Sequence, residues 1–306
     1  MINDKALLSA VNAYYSKIRS ERLFAVQRAE EEAEKNERYS ELKYELNGLK
    51  IERQKAEFNG ETEKADDLSE KIAALQGVFD ELKKRVAVKQ AEPNCPLCRD
   101  SGFSDGKPCK CYTKKLSEFS YDHLGVKNVA RHTFDDDELS EKAGLKSIYS
   151  AIRSFTEKMP ETEKNVLILG QKGTGKTFLS ECAVNAIENK GMNAIMLTAF
   201  SLNKIFANGF NLSANEKTTT ENILTTSDLL VIDDLGTEPI YNKITIENLT
   251  AVISERLTNK KPFFITTNLT LDEICARYGE RLFSRLCGRQ TVILKMNGKD
   301  LRLYNV

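Results

Sequence analysis

No stretch of the chain is apolar for long enough to cross a bilayer as a helix. The opening residues, MINDKALLSAVNAYY, hold no basic region followed by an apolar run. No secretory signal is therefore read there, and the expected compartment is the cytoplasm, without membrane attachment. Net charge is missing as well, because 45 Lys and Arg balance 45 Asp and Glu. A balanced chain has no global basic field for nucleic acid, so any such contact has to be local. Proline is absent before residue 93. The cysteine count is seven, an odd number with no export signal, which argues against a disulfide framework and for metal binding plus buried thiols. What remains is a chain of 306 residues, 41% apolar and 29% charged, with room for more than one domain around a real core.

Three textures follow one another. Residues 4–90 are rich in Glu, Lys, Ala and Leu, with Leu7, Val11, Tyr14, Tyr15, Ile18, Leu42, Leu46 and Leu49 at helical spacing. Asn59-Gly60 breaks the pattern, and Leu68, Ile72, Leu75, Phe79, Leu82 and Val86 resume it, so a long helix, a turn and a second helix are expected. Such a hairpin is either a solvated spacer or a surface for a partner or for self-association. Residues 93–112 are short, irregular and cysteine-dense. From about residue 116, apolar runs at 165–169, 194–197, 229–232, 262–266 and 291–295 alternate with helical segments, the signature of a parallel sheet built from βα units. The polar stretch 211–220 (NLSANEKTTT) is expected to be a mobile loop.

The run Gly170-Gln171-Lys172-Gly173-Thr174-Gly175-Lys176-Thr177 fits G-x-x-x-x-G-K-[ST] and follows an apolar strand. Gly170, Gly173 and Gly175 let the backbone curl so that N–H groups, including that of Thr174, point at one phosphate. A helix starting near Lys176 adds its positive end, and Lys176 adds a point charge for the outer phosphates. The Thr177 hydroxyl can bind Mg²⁺, and Phe178 is counted with the nucleotide contacts. A second magnesium-side carboxylate is expected at the tip of a neighbouring strand, and LLVIDD supplies it. There Asp233 is assigned to Mg²⁺ and Asp234 to the attacking water. Asn268, at the tip of FFITT, either orients that water or caps the following helix.

Cys95-Pro-Leu-Cys98 and Cys109-Lys-Cys111 give C-x₂-C and C-x-C across a glycine-containing loop. Four thiolates can close a tetrahedral Zn²⁺ site in a segment too short for a core of its own, a reading preferred to a redox pair or free thiols. Cys182, Cys275 and Cys287 read as core thiols, and His123 and His132 as structural.

From Cys95 onward the sequence resembles AAA+ ATPases of the DnaC/DnaI helicase-loader group, which includes the transposition helper IstB. The P-loop, LLVIDDLGTEP, ITIENLTAVISERL, FFITTNLT and RYGERLFSRL carry the likeness. The resemblance implies an α/β fold, the AAA+ three-layer αβα sandwich, over residues 116–306. A Cys₄ zinc-binding segment at 93–115 and a helical partner-binding domain at 1–92 precede it. It makes Asn268 the sensor-1 residue and Arg285 the arginine finger that reaches a neighbouring subunit's nucleotide; by spacing alone Arg285 is a surface helix charge. Arg302 resembles the sensor-2 arginine. Many AAA+ chains carry Asp-Glu where this one has Asp233-Asp234. Glu238 is a nearby alternative base, and slow basal hydrolysis is expected. The implied activity is ATP-dependent loading of a DnaB-type replicative helicase, gripped by the N-terminal helices, onto single-stranded DNA by a ring or spiral of subunits. Phe200 and Phe206 either stack on bases, with Lys204 near phosphates, or pack a helix on the core. The alternatives are an IstB-like helper of transposition and an adaptor in which ATP is structural.

Overall fold

The computed structural model describes residues 1–85, 92–128, 130, 132–138 and 145–297. In chain order the helical elements α1 (Lys5–Ala33), α2 (Glu37–Phe58) and α3 (Thr62–Arg85) come first. The two-residue strands β1 (Phe103–Ser104) and β2 (Lys107–Pro108), then α4 (Lys110–Leu124) and α5 (Lys146–Glu157), follow. The remainder alternates as β3 (Asn165–Gly170), α6 (Lys176–Asn189), β4 (Ala194–Thr198), α7 (Ala199–Asn208), α8 (Ala214–Thr226) and β5 (Leu229–Leu235). It ends with α9 (Thr245–Thr258), β6 (Phe263–Thr267), α10 (Leu271–Tyr278), α11 (Glu280–Leu286) and β7 (Thr291–Met296). No helix of the described residues is long and apolar enough to cross a membrane.

The chain divides into two compact units, Tyr14–Ser101 and Met1–Ala13 with Gly102–Val306. In the first, α2 and α3 form a hairpin. Ala33, Tyr39, Leu42, Leu46, Ile72 and Phe79 make one buried cluster; Ala56, Ala65 and Leu68 make another near the turn at Asn59-Gly60. The expected single helix before that turn is broken once more, at residues 34–36, because Asn36 caps α2 by accepting from the Tyr39 amide at 3.0 Å. The outer face of α2 leaves Tyr44, Ile51 and Phe58 in line at seven-residue spacing and 84%, 53% and 92% exposed.

The second unit is built on a five-stranded sheet in the order β4-β5-β6-β3-β7, parallel throughout. All five strands match the apolar runs in the sequence; in β3, β4, β5 and β6 this is because a parallel sheet covered on both faces buries successive residues alike, whereas the edge strand β7 is only partly buried. On one face Val166, Ile168, Met196, Val231 and Phe264 pack with Ile152 and Phe155 of α5 and Leu179, Ala183 and Ile187 of α6. By the two-residue period of strands, Leu167, Ile195, Ile232 and Ile265 face the other layer; all four are buried. The amino-terminal residues belong to this unit: Ile2 is buried, the Asn3 amide donates to Thr226 Oγ1, and Asp4 accepts from Asn222. Together these layers are the three-layer αβα sandwich with a parallel sheet that was expected.

Of the stretch 211–220 expected to be a mobile loop, residues 214–220 instead belong to α8, which runs on to Thr226. Ser213 and Glu216 close a reciprocal capping box, and Thr219, Ile223 and Leu224 are buried. Arg256 of α9, fully buried, fastens this region. It donates to the carbonyls of Leu224, Ser227 and Pro262 and to Ser227 Oγ. The β4 edge is closed by α4, whose Tyr121 hydroxyl accepts from the Met196 amide at 2.8 Å.

Between α4 and α6, Glu188 has one carboxylate oxygen with no hydrogen-bond partner among the described residues. Burial pushes its carboxyl from 4.5 up to about 7, Lys114 pulling against and Glu118 adding to the rise. The folded chain therefore binds an extra proton between the two values, and stability falls as pH rises through that window. Glu188→Gln is expected to abolish the fall and to gain about 2 kcal/mol at pH 8. Urea unfolding at pH 5 and pH 8 measures it; equal pH dependence in both chains would reject it.

Candidate functional site

The loop between β3 and α6 wraps one end of a cavity of about 720 Å³. Gly173 and Gly175 adopt φ of +78° and +90°, the left-handed turn that lets successive amides face inward. Gly170 is required for a different reason. A Cβ there would lie 2.7 Å from the Met296 carbonyl oxygen and 3.2 Å from Thr174 Oγ1, inside contact distance. Lys176 opens α6 and is buried, and its Nζ donates to the carbonyls of Gly170 and Gln171 at 2.9 and 2.8 Å and to Asn268 Oδ1 at 2.7 Å. Thus the P-loop lysine and the strand-tip asparagine meet directly, and Asn268 is not the cap of the next helix; Thr270 is.

The acid-bearing strand is not adjacent to the P-loop strand as expected: β6 lies between β3 and β5. Contact is made across it. Thr177 Oγ1 donates to Asp233 Oδ2 at 2.8 Å, while Asp233 Oδ1 accepts from Thr266 Oγ1 of β6 at 2.6 Å. The register between β5 and β6 slips here: Ile232 pairs with Ile265 but Leu235 with Thr267, which leaves one extra residue on β5. Asp234 takes up the slack at φ +56° and lines the cavity, with its amide donating to Thr266 Oγ1 at 2.9 Å. The two neighbouring carboxylates therefore part, one to the Thr177 hydroxyl and one to the cavity.

A triphosphate fits this arrangement, with inward-facing amides and the buried ammonium of Lys176 as its partners. Thr177 and Asp233 could hold Mg²⁺ with oxygen ligands of the kind it takes. Away from the P-loop the cavity is lined by Phe178, which stacks on Tyr149 at 6.0 Å and has the His132 ring 5.0 Å away. Tyr149, Lys172, Thr237 and the acidic run Asp136, Asp137 and Glu138 also line it. Sequence reasoning missed these. Lys172 sits inside the motif and was within reach; the others come from a loop and a helix with no phosphate signature.

Glu238 does not serve the cavity as an alternative base. It is buried, accepts from the Gly236 amide at 2.9 Å, and is bonded by the Tyr278 hydroxyl. Arg285 does not line the cavity of its own chain; its Nε donates to Ser254 of α9 at 2.6 Å. Arg302 lies outside the described residues. On α7, Phe200 is exposed with Lys204 Nζ 4.9 Å above its ring, whereas Phe206 is half-buried beside Leu202, Leu235 and Leu249.

In the cysteine segment the sulfurs of Cys95, Cys98, Cys109 and Cys111 lie within 4.8 Å of one another. A tetrahedral Zn²⁺ with thiolate bonds near 2.3 Å sets its sulfurs about 3.8 Å apart, so the donor set fits. The first knuckle is shaped by Asp100, whose carboxylate accepts from the amides of Asn94 and Cys95 and pairs with Arg22 of α1. Neither histidine joins the set: His123 contacts Thr220 and His132 lies by Phe178. Metal analysis of the purified chain is expected to find about one Zn²⁺ per chain, lost in Cys98→Ser. An equal metal content in both proteins would exclude the site.

The sequence pattern of the family described as IstB-like ATP binding protein matches residues 127–305. The replicative helicase loader DnaC of Escherichia coli (strain K12) is 24% identical over 169 residues, covering 55% of this chain and 68% of DnaC. The replicative helicase loader DnaI of Bacillus subtilis (strain 168) is 24% identical over 146 residues, covering 46% of this chain and 45% of DnaI. A crystal structure of the DnaC helicase loader superimposes with a TM-score of 0.45 at 24% identity, covering 57% of this chain and 99% of that one.

Proposed function

Because the chain belongs to the IstB-like ATP-binding protein family, we propose that it loads a DnaB-type replicative helicase onto single-stranded DNA, with ATP binding and hydrolysis as an assembly switch. Similarity to DnaC and DnaI supports the loading role. The observation that carries the ATP-dependent part is the junction of Lys176 with Asn268 and of Thr177 with Asp233, which draws three strand tips to one phosphate-sized point.

In this reading the P-loop amides and Lys176 bind the β- and γ-phosphates. Thr177 and Asp233 would hold Mg²⁺, which would supply charge neutralisation at the phosphoryl oxygens. Asp234 accepts the proton of the attacking water, and Asn268 orients that water beside Lys176. Arg285, which does not line the cavity of its own chain, serves a neighbouring subunit's nucleotide and so makes turnover depend on assembly into a ring or spiral. Phe200 with Lys204, and the exposed Tyr241 on the loop tied to α7 through Asn203 and the Pro239 carbonyl, offer stacking surfaces for single-stranded DNA. The Tyr44–Ile51–Phe58 stripe is the surface through which the N-terminal helices grip the helicase. A second reading, a transposition helper acting on duplex DNA, is favoured by the family description alone.

Purified full chain is expected to capture the host's replicative helicase in an ATP-dependent manner, and the variant Tyr44→Ser, Ile51→Ser, Phe58→Ser to lose at least about tenfold in affinity. Failure of capture with and without ATP moves the assignment to the transposition helper, which duplex-DNA binding then tests. As a switch, the isolated chain is expected to turn over ATP more slowly than about once per second, with no turnover in Lys176→Ala. Rapid hydrolysis without partners contradicts the switch, and hydrolysis by neither protein leaves ATP a structural role.

A further inference from the structure

The loop that follows β5 leaves the cavity at Asp234 and Thr237, and Thr237 Oγ1 donates back to the Asp234 carbonyl at 2.9 Å. One residue later the chain carries a carboxylate inward. Glu238 is 2% exposed, a place where a carboxylate is costly unless bonded. Its partners are the Gly236 amide at 2.9 Å and the hydroxyl of Tyr278, which is itself buried. Arg277 closes over the pair, with its guanidinium bonded to the Glu238 carbonyl and 5.6 Å from the Tyr278 ring. Burial, and next the Glu238 charge, raise the Tyr278 phenol well above its ordinary range, so it remains a donor at any working pH.

Tyr278 occupies a decisive place in the chain. It is the last residue of α10, and Gly279, at φ +81°, is at once the end of α10 and the start of α11. Six residues beyond it α11 carries Arg285. That side chain is held from a second direction by Ser254 of α9. Helix α9 begins at Thr245, whose hydroxyl accepts from the Tyr241 amide at 2.8 Å and donates to Asn203 at 2.7 Å, so its start is fixed by the same loop. The loop that carries Asp234 and Thr237 is thus joined by hydrogen bonds to both supports of Arg285.

We propose that Glu238 and Tyr278 are a positioning pair that couples the nucleotide cavity to the pivot at Gly279, and so sets the reach of Arg285 toward a neighbouring copy of this chain. The inference rests on the reading of Arg285 as an intersubunit contact. Neither residue touches nucleotide; each acts through α11.

The test uses the full chain and four variants: Tyr278→Phe, Glu238→Gln, Arg285→Ala and the double variant Tyr278→Phe/Arg285→Ala. It reads kcat for ATP and, separately, the affinity for a fluorescent ATP analogue. Loss of a buried hydrogen bond to a charged acceptor is expected to lower kcat of Tyr278→Phe roughly tenfold while affinity stays within about twofold. Glu238→Gln keeps one oxygen acceptor, for the Gly236 amide, and turns its NH2 toward the Tyr278 hydroxyl, which can accept from it; the pair stays bonded and kcat is expected to stay within about threefold of the parent. The double variant is expected to be no slower than Arg285→Ala alone, because both changes remove the same step. A double variant slowed by the full additional factor would show that Tyr278 acts elsewhere and would overturn the coupling. Unchanged kcat in Tyr278→Phe, with Arg285→Ala slow, rejects the pair and leaves the Arg285 reading standing. Unchanged kcat in Arg285→Ala itself rejects the intersubunit reading and the coupling with it.

Discussion

A buried ammonium must be met by oxygens, and in this chain the requirement falls on the ends of the sheet. Lys176 sits at the first turn of α6 with two P-loop carbonyls and the Asn268 amide oxygen around its Nζ. An ion of that kind left unpaired costs several kcal/mol even after the protein relaxes. The partners come from the loop after β3 and from the tip of β6, and β6 can supply one only because it lies beside β3. With β6 in that position, β5 is displaced one strand outward; one oxygen of its Asp233 carboxylate meets the Thr177 hydroxyl directly while the other accepts from the Thr266 hydroxyl of the intervening β6. Strand order and site geometry are thus one constraint seen twice.

Much of the nucleotide half was legible in the sequence. Four sheet strands were found because burial on both faces turns each into an apolar run; β7, at the sheet edge and only partly buried, was found from its apolar residues 292–294 alone; and the P-loop was found because its glycines and lysine answer to a single geometry. Strand order was not legible; nothing in LLVIDD says that another strand intervenes. The polar run at 211–220 misled because its helix is held by local capping and by a few buried residues near its end, which mean hydropathy ignores. Glu238 misled for the opposite reason. Its distance from Asp233 along the chain suited a base, but the left-handed turn at Gly236, pressed on Leu269, directs it into the interior. Tyr149 and the acidic run at 136–138 line the cavity from segments with no repeating pattern to read.

The helical unit shows what periodicity can and cannot report. Leu42, Leu46, Ile72 and Phe79 were read as an apolar seam and do close on one another. The residues that most invite a partner, Tyr44, Ile51 and Phe58, lie on the opposite side and obey a seven-residue spacing that the four-residue seam obscures. The cysteine segment is different again. Without a core, its shape is written in backbone bonds to Asp100 and in left-handed residues at Arg99 and Asp100, so that four sulfurs converge where no apolar pattern exists.

The single extra residue in β5 bears on how this site can vary. Asp234 stands at a positive φ, a conformation in which aspartate and asparagine are the best tolerated residues with side chains. A short carboxylate that accepts the left-handed backbone is therefore matched to the bulge, whereas a longer glutamate suits a strand that stays extended. The choice between the two acids is thus tied to main-chain path as well as to reach. Exchange of the side chain alone, with the backbone left behind, is a poorer route between them than a coordinated change in the length of the strand.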